Sequence, residues 1–330
     1  MINVRRDAAA LPPDTAVCMG AFDGLHRGHQ ALLDRARTHA PRVALVTFDP
    51  HPTKIIAPDR QPKLIYAPIQ RERVAEALDV SALVLLPFDE AMSKMSPEAF
   101  VQACLIDGLQ PAAMVVGADF RFGARRAGDA EALRTLLAPA GIDVDIVAPV
   151  PLGVGENAKL SSTDIRRALD AGDVHTAGTL LGRWHALAGT VVHGAKRGRA
   201  LGFPTANLGP SEGYAPPIGI YATALSVWDP GSPDYGTVWP AVTSVGRNPT
   251  FTDGDAPVVV ETHVLDQALG ERLYGVDVEV AFVSRLRGEV KFDGADALVE
   301  QMHRDAQQAR EALTTAVLDR VLAPPTEQTR

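Results

Sequence analysis

Two hydrophobic rhythms divide this chain. From residue 15 to about 148, short apolar runs alternate with longer amphipathic stretches; from 189 to about 287, apolar runs follow one another with only turns between them. In the first part TAVCMG (15–20), RVALVTF (42–48), ALVLL (82–86), AAMVVG (112–117) and IDVDIVA (142–148) read as strands, with helical patterns near 28–40, 68–79, 96–107 and 128–138. Strand–helix alternation brings successive strands back parallel, so the pattern predicts a doubly wound α/β sheet. Such sheets bind ligands beyond the C-terminal ends of their strands. In the second part GTVVHG, GIYATALSVW, TVWPAVTSVG, PVVVETHVL and VDVEVAFV predict an antiparallel barrel. A helical pair at 162–181 lies between the two rhythms, and the tail from Ala295 to Leu322 predicts one amphipathic helix ahead of Pro324 and Pro325. The expected domains are 1–182 and 183–330, divided near Gly182.

Composition narrows the function. Forty acidic residues against thirty-two basic ones give a formal charge of −8, which argues against a bulk nucleic-acid partner. Cys18 and Cys104 stand far apart without CxxC or Cys/His spacing, so a disulfide framework and a structural zinc site are not expected. The N-terminal MINVRRDAAALPPDTA lacks the apolar stretch of a signal peptide, and no run approaches the roughly 18 apolar residues of a spanning helix. A cytoplasmic protein with no membrane partner is expected, and homo-oligomerisation is left open.

Two clusters of residues carry chemistry. GAFDGLHRGH (20–29) follows the first strand, with Gly20, Gly24 and Gly28 letting backbone approach a ligand and His26 and His29 three apart at a helix entry. Two imidazoles and the N–H groups of a helix start suit a triphosphate, although a capped helix with two solvated histidines, or half a metal site, also fits the spacing. Far along the chain, KLSSTDIR (159–166) offers Ser162, Thr163 and Arg166; they read as a helix cap or as hydroxyls and a guanidinium facing phosphate. HxGH after the first strand and SSTxxR after the last are together the signature of the nucleotidyltransferase superfamily.

The second cluster is HGAKRGRALGFPTANL (193–208). Lys196, Arg197 and Arg199 sit among glycines before PTAN, where Thr205 and Asn207 alternate along an extended segment. Hard oxygens suit Mg²⁺, whose shell substrate phosphate completes; a basic hairpin before a proline turn is the alternative. Glu261, at the end of the VVV run, reads as a general base for an alcohol or as an edge charge.

With these residues in view, the chain resembles the prokaryotic bifunctional riboflavin kinase/FAD synthetase family over nearly its whole length. GAFDGLHRGH, TFDPHP (47–52), VGADFRFG (116–123), KLSSTDIR, RGRALGFPTANL, VTSVGRNPTF (242–251) and ETHVLD (261–266) carry the resemblance, in the family's order. It implies a Rossmann-like nucleotidyltransferase domain followed by an antiparallel barrel with a C-terminal helix. The first would adenylylate FMN to FAD with ATP, releasing pyrophosphate; the second would phosphorylate riboflavin to FMN with ATP and Mg²⁺. His26, His29 and Arg166 would stabilise ATP phosphates. Gly20, Phe22, Asp23, Gly24, Gly28, Ser162 and Thr163 would bind ATP in one module, and Lys196, Arg197, Gly202 and Pro204 in the other. Phe48, Pro50, Pro52, Asp119 and Phe122 would line one flavin site, with Asn248 and Arg285 near the other. Thr205 and Asn207 match the Mg²⁺ ligands and Glu261 the general base. Three positions depart from the family: Asp119 stands where Asn is common, Asp164 puts an acid inside SSTxIR, and LIYAPIQRER (64–73) lacks the usual threonines. A flavin sensor built on the barrel would need a DNA-reading element, and none is visible. An enzyme with one live module is a further alternative.

Overall fold

A computed structural model describes residues 2–151, 160–194, 198, 201–247, 258–267, 269 and 271–324. The chain divides into two compact units: Met1–Lys63 with Arg71–Ser161, and Leu64–Gln70 with Ser162–Arg330.

The first unit is built on strands β1 (Asn3–Arg5), β2 (Thr15–Met19), β3 (Arg42–Asp49), β4 (Ala82–Pro87) and β5 (Ala113–Gly117). A short antiparallel ribbon follows, β6 (Arg121–Phe122) with β7 (Gly128–Asp129), and β8 (Asp143–Val147) completes the sheet. The sheet is parallel, in the order β1-β4-β3-β2-β5-β8. Every residue of β2 is buried, which explains why its sequence is a continuous run rather than an alternation. Val17, Met19, Val46, Val84, Val116, Leu105 and Leu133 share one core with the helices; burying each side chain of this kind stabilises by about 1.5–3 kcal/mol. Strand β1 was not anticipated. The helical pattern near 96–107 resolves into an α-turn, Pro97–Phe100, continued by a π-helical stretch, Val101–Leu109.

This strand order has a consequence for function. Strands β3 and β4 extend the sheet on one side of β2, while β5 and β8 extend it on the other. The connections leaving β2 and β5 therefore diverge, and the crevice at that switch point is where an open α/β sheet binds ligands. GAFDG follows β2 and GADF follows β5.

The second unit holds β9 (His185–Val192), β10 (Ala206–Leu208), β11 (Gly219–Val227), β12 (Val238–Arg247), β13 (Val258–Val264) and β14 (Asp277–Arg287). They close an antiparallel barrel in the order β10-β13-β12-β11-β14-β9. Strand β10 was read only as an extended segment. The helix Ala295–Ala312 packs outside, where Ala306 and Ala309 meet Ala222, Ala224 and Ala281 of the barrel. A bidentate pair, Arg287 to Asp305, ties it to β14, with Nη2–Oδ2 at 2.7 Å.

The tail is not the one helix expected. It stops at Ala312 and a second turn runs Thr315–Leu318. The break lets Leu313 stay buried with the barrel cluster while the Val317 carbonyl accepts a bond from Trp184 Nε1 at 3.0 Å. The helices Ser162–Asp170 and Val174–Leu181 also belong to this unit; the second buries Val174, Ala177 and Leu181. So does Leu64–Gln70. There the Ile65 carbonyl accepts from Tyr214 N at 3.2 Å, Gln70 Nε2 donates to the Ala186 carbonyl at 2.9 Å, and Tyr66 stacks on buried His185.

Candidate active sites

In the first unit the turn after β2 is unusual backbone. Phe22 (φ 48°) and Leu25 (φ 42°) adopt left-handed conformations alongside Gly24 (φ 83°), and both side chains are fully buried. Non-glycine residues persist there when the surroundings hold them, and such strain concentrates at ligand sites. The turn feeds the helix Arg27–Ala36, whose N-cap His26 makes no side-chain capping bond. That disposes of the simple cap reading. The His26 carbonyl accepts from His29 N (2.8 Å) and Gln30 N (2.9 Å), and the two imidazoles stack with centroids 3.7 Å apart and planes 18° from parallel. Phe22 presents its ring to His29 edge-on at 5.1 Å. Gly28 makes this column possible: a Cβ there would sit 3.1 Å from the His26 ring. Asp23 is buried beside it, and Gly20 ends the turn's approach with its N–H bonded to the Val46 carbonyl at 3.1 Å.

The positions matched to a flavin site lie at the C-terminal ends of β3 and β5. Phe48 is half-buried and meets Phe88 at 5.4 Å; Pro50 follows Asp49 through a cis peptide bond, and Pro52 opens the helix Pro52–Ile56. Phe122 is buried against Phe100 and Phe120, so it is core as well as candidate wall. Asp119 is exposed on the turn after β5. Arg71 was missed by the sequence reading. Burial pushes its pKa down, against the opposing fields of Asp49, Glu72 and Asp23, and its Nε is buried without a hydrogen-bond partner.

Ser162, Thr163 and Arg166 are on the helix Ser162–Asp170 of the second unit. Ile165 and Leu169 supply its buried face, and Asp164 pairs with Arg167 at 3.1 Å, an ordinary i,i+3 surface contact. The acid inside SSTxIR thus has a local partner.

In the barrel, Asn207 on β10 lies directly opposite Glu261 on β13, which is flanked on its other side by Ser244 of β12. Asn207 is buried and Thr205 and Glu261 are half-buried. Gly194 abuts this pair so closely that a Cβ would collide with the Asn207 carboxamide. The Gly198 carbonyl accepts from Leu201 N (3.0 Å) and Phe203 N (2.8 Å), folding the chain back at Gly202 just before Pro204. His263 Nδ1 then donates to the Pro204 carbonyl at 2.9 Å. Among the described residues no three His, Cys, Asp or Glu side chains gather as a metal site. Neutral oxygens beside one carboxylate suit a hard cation shared with phosphate, so the residues fit Mg²⁺. Arg285 is exposed on β14 and donates to the Ile218 carbonyl at 2.9 Å. Lys196, Arg197, Arg199 and Asn248 lie outside the described residues.

Next to Thr205 opens a small, shallow cleft with Val191, Val264, Leu273 and Tyr274 among its walls and Thr262 at its lining. These residues were not singled out in the sequence. The signal was there in ETHV: Thr262 and Val264 alternate with Glu261, so they face the other side of β13.

A parallel sheet with a histidine-lined switch point, followed by a closed barrel with a carboxylate–carboxamide pair, defines a two-module, nucleotide-using transferase. Residues 9–164 match the family model of FAD synthetase and residues 181–313 that of riboflavin kinase. A bifunctional riboflavin kinase/FMN adenylyltransferase of Bacillus subtilis is 33% identical over 304 residues, covering 89% of this chain and 91% of that protein. One from Pseudomonas fluorescens is 34% identical over 307 residues, covering 91% and 94%. A crystal structure from Streptococcus pneumoniae, described as a macrolide-efflux protein, aligns with a TM-score of 0.79 at 32% identity, covering 93% of this chain and 98% of that one. No described helix here is long and apolar enough to cross a membrane. The chain belongs to the bifunctional riboflavin kinase/FMN adenylyltransferase family.

Proposed function

We infer that this chain makes both flavin cofactors: its barrel module phosphorylates riboflavin with ATP, and its α/β module adenylylates the resulting FMN, releasing pyrophosphate. The observation that carries this reading is the contrast between the two sites. One holds stacked imidazoles, the other a carboxylate opposite a carboxamide.

The chemistry explains the contrast. In adenylyl transfer an FMN phosphate oxygen attacks the α-phosphorus of ATP and the bond to pyrophosphate breaks. The nucleophile is already anionic, so the site must orient the reactants and offset charge rather than remove a proton. His26 and His29 fill that role in this reading, with Arg166, Ser162 and Thr163 as further phosphate partners. Gly20, Phe22, Asp23, Gly24 and Gly28 shape the ATP turn; Phe48, Pro50, Pro52, Asp119 and Phe122 form the flavin side.

Riboflavin offers a neutral ribityl hydroxyl instead. A base is needed, and Glu261 takes that proton as the oxygen bonds to the γ-phosphorus of ATP. Thr205 and Asn207 would hold Mg²⁺, which offsets phosphate charge when bound. Lys196, Arg197, Gly202 and Pro204 cover the polyphosphate, and Asn248 and Arg285 serve the flavin. The functional boundary falls near Gly182, and the enzyme works in the cytoplasm on small molecules. Separate assays with riboflavin and with FMN, each with ATP and Mg²⁺, test the reading. Conversion of both supports it; conversion of one alone leaves a single live module.

A further inference from the structure

The first unit holds a cation whose donors the fold does not use. Arg71 stands near the start of the helix Pro68–Ala77, three and four residues ahead of Val74 and Ala75, which are 3% and 0% exposed. Residues at that spacing share a helix face, so Arg71 enters the interior on the face that packs. Its Nε is buried without a hydrogen-bond partner, and among the described residues no oxygen accepts from any part of its guanidinium. Asp49, whose field reaches it, is hydrogen-bonded to Arg6 instead, with Nη1–Oδ2 at 2.6 Å. In the sequence RERVAEAL reads as a charged helix surface, which hides this residue.

A guanidinium carries five N–H donors and keeps its charge at neutral pH. Burying those donors unpaired costs free energy, and an apolar side chain would serve the packing beside Val74 and Ala75 better. Such a group calls for a ligand, and its surroundings say which. Asp49 lies between Phe48 and Pro50 at the end of β3, and Asp23 lies in the turn after β2. The fields of both act on Arg71, which puts the guanidinium between the flavin side and the ATP turn. The flavin side, Phe48, Pro50, Pro52, Asp119 and Phe122, offers an acid and no cation. A phosphate monoester nonetheless brings a charge of about −1.5 to −2 at neutral pH. Between those two sides is where that phosphate must meet the α-phosphorus of ATP.

We propose that Arg71 binds the phosphate of FMN in the adenylylation site, holding the nucleophile for attack and giving the site its preference for phosphorylated flavin. This rests on reading the crevice after β2 and β3 as that site. Arginine suits the task because its planar fork takes two phosphate oxygens at once. Bound phosphate occupies donors that the fold leaves idle, so the cost of burying them is repaid by substrate. Burial pulls the Arg71 pKa down, while Asp49, Glu72 and Asp23 oppose that pull and keep the guanidinium charged. His26 and His29 then attend the phosphates of ATP, and Arg71 the phosphate that attacks them.

The test measures FAD formation by the full chain at varied FMN and varied ATP. Arg71→Met should raise the KM for FMN about tenfold to a hundredfold, the size of a charge-assisted hydrogen bond. The KM for ATP should stay within about twofold, riboflavin phosphorylation should be unchanged, and the melting temperature should not fall. Arg71→Lys, which keeps the charge and loses the fork, should give an intermediate KM for FMN. Asp49→Asn combined with Arg71→Met should recover nothing, whereas recovery would show that Arg71 only neutralises Asp49 and would overturn the proposal. An unchanged KM for FMN, or an equal rise in the KM for ATP, also overturns it. Lumiflavin, which has neither ribityl chain nor phosphate, keeps the idea testable if no variant folds. It should inhibit adenylylation by the unmodified chain with a Ki at least about tenfold above the KM for FMN, and a Ki equal to that KM overturns the proposal. His29→Ala separates the two ways to fail. If neither it nor Arg71→Met affects adenylylation, the crevice is not the site; if His29→Ala alone does, only the role of Arg71 is wrong.

Discussion

Asn207 and Glu261 stand directly opposite each other across β10 and β13. Such pairs have Cα atoms roughly 4.5–5.5 Å apart. A carboxamide and a carboxylate, the groups proposed for the metal and for the substrate hydroxyl, are therefore set side by side by strand register, without a shared loop.

Replacing Glu261 by Gln should remove FMN formation and spare adenylylation of supplied FMN. Gln keeps the size but cannot take a proton from an alcohol at neutral pH, and losing a general base typically lowers rate by roughly 100- to 10,000-fold. Chromatographic turnover, paired with ATP titration, reads the outcome. Turnover near wild type would make the carboxylate structural; collapse of ATP binding would move its role to the metal.

The stacked imidazoles give the reciprocal experiment. His29→Ala should cut FAD formation from FMN by on the order of 100- to 1,000-fold, the usual effect of losing one charge-stabilising contact. Riboflavin phosphorylation should stay near wild type. Equal loss of both activities in a folded variant would contradict two separate sites.

Gly194→Ala should act on the metal requirement alone. The new methyl group collides with the Asn207 carboxamide and displaces it. The expected result is a several-fold higher Mg²⁺ concentration for half-maximal riboflavin phosphorylation, with FMN adenylylation unchanged. An unaltered Mg²⁺ profile would remove Asn207 from the ligand set.

Fragments should reveal what the barrel unit requires. Residues 183–330 lack the helix Val174–Leu181 and the segment Leu64–Gln70, whose Tyr66 stacks on His185. That fragment should fold with a lower melting temperature than 162–330, because the apolar surface under Val174, Ala177 and Leu181 is left wet. Equal melting temperatures would show that the helix pair adds no stability.

Cys18 offers a pH test. Burial pushes its thiol up to about 12. A raised pKa means that the folded state holds the proton more tightly, so this contribution is full below the unfolded thiol's value and fades as pH climbs from there toward the folded one. Iodoacetamide at pH 8 should leave native Cys18 unmodified and alkylate it after denaturation. Rapid native labelling would show that the strand opens.

Much of this protein was written locally. The period of apolar residues fixed a parallel α/β part and an antiparallel barrel, because side chains must reach a core at the spacing their backbone imposes. HxGH and SSTxxR were legible for the same reason: their residues are neighbours in sequence as well as along one helix turn. Strand β10 and the break at Leu313 were missed, since three extended residues carry no period and a helix end buried under Trp184 obeys packing rather than propensity. Tertiary structure alone decided the rest. It assigned Leu64–Gln70 and the pair 162–181 to the barrel unit, set Asn207 against Glu261, and lined up Thr223, Thr243 and Thr262. Those relationships depend on the register between strands far apart in the chain, and register is a property of how faces pack, which no local stretch of sequence contains.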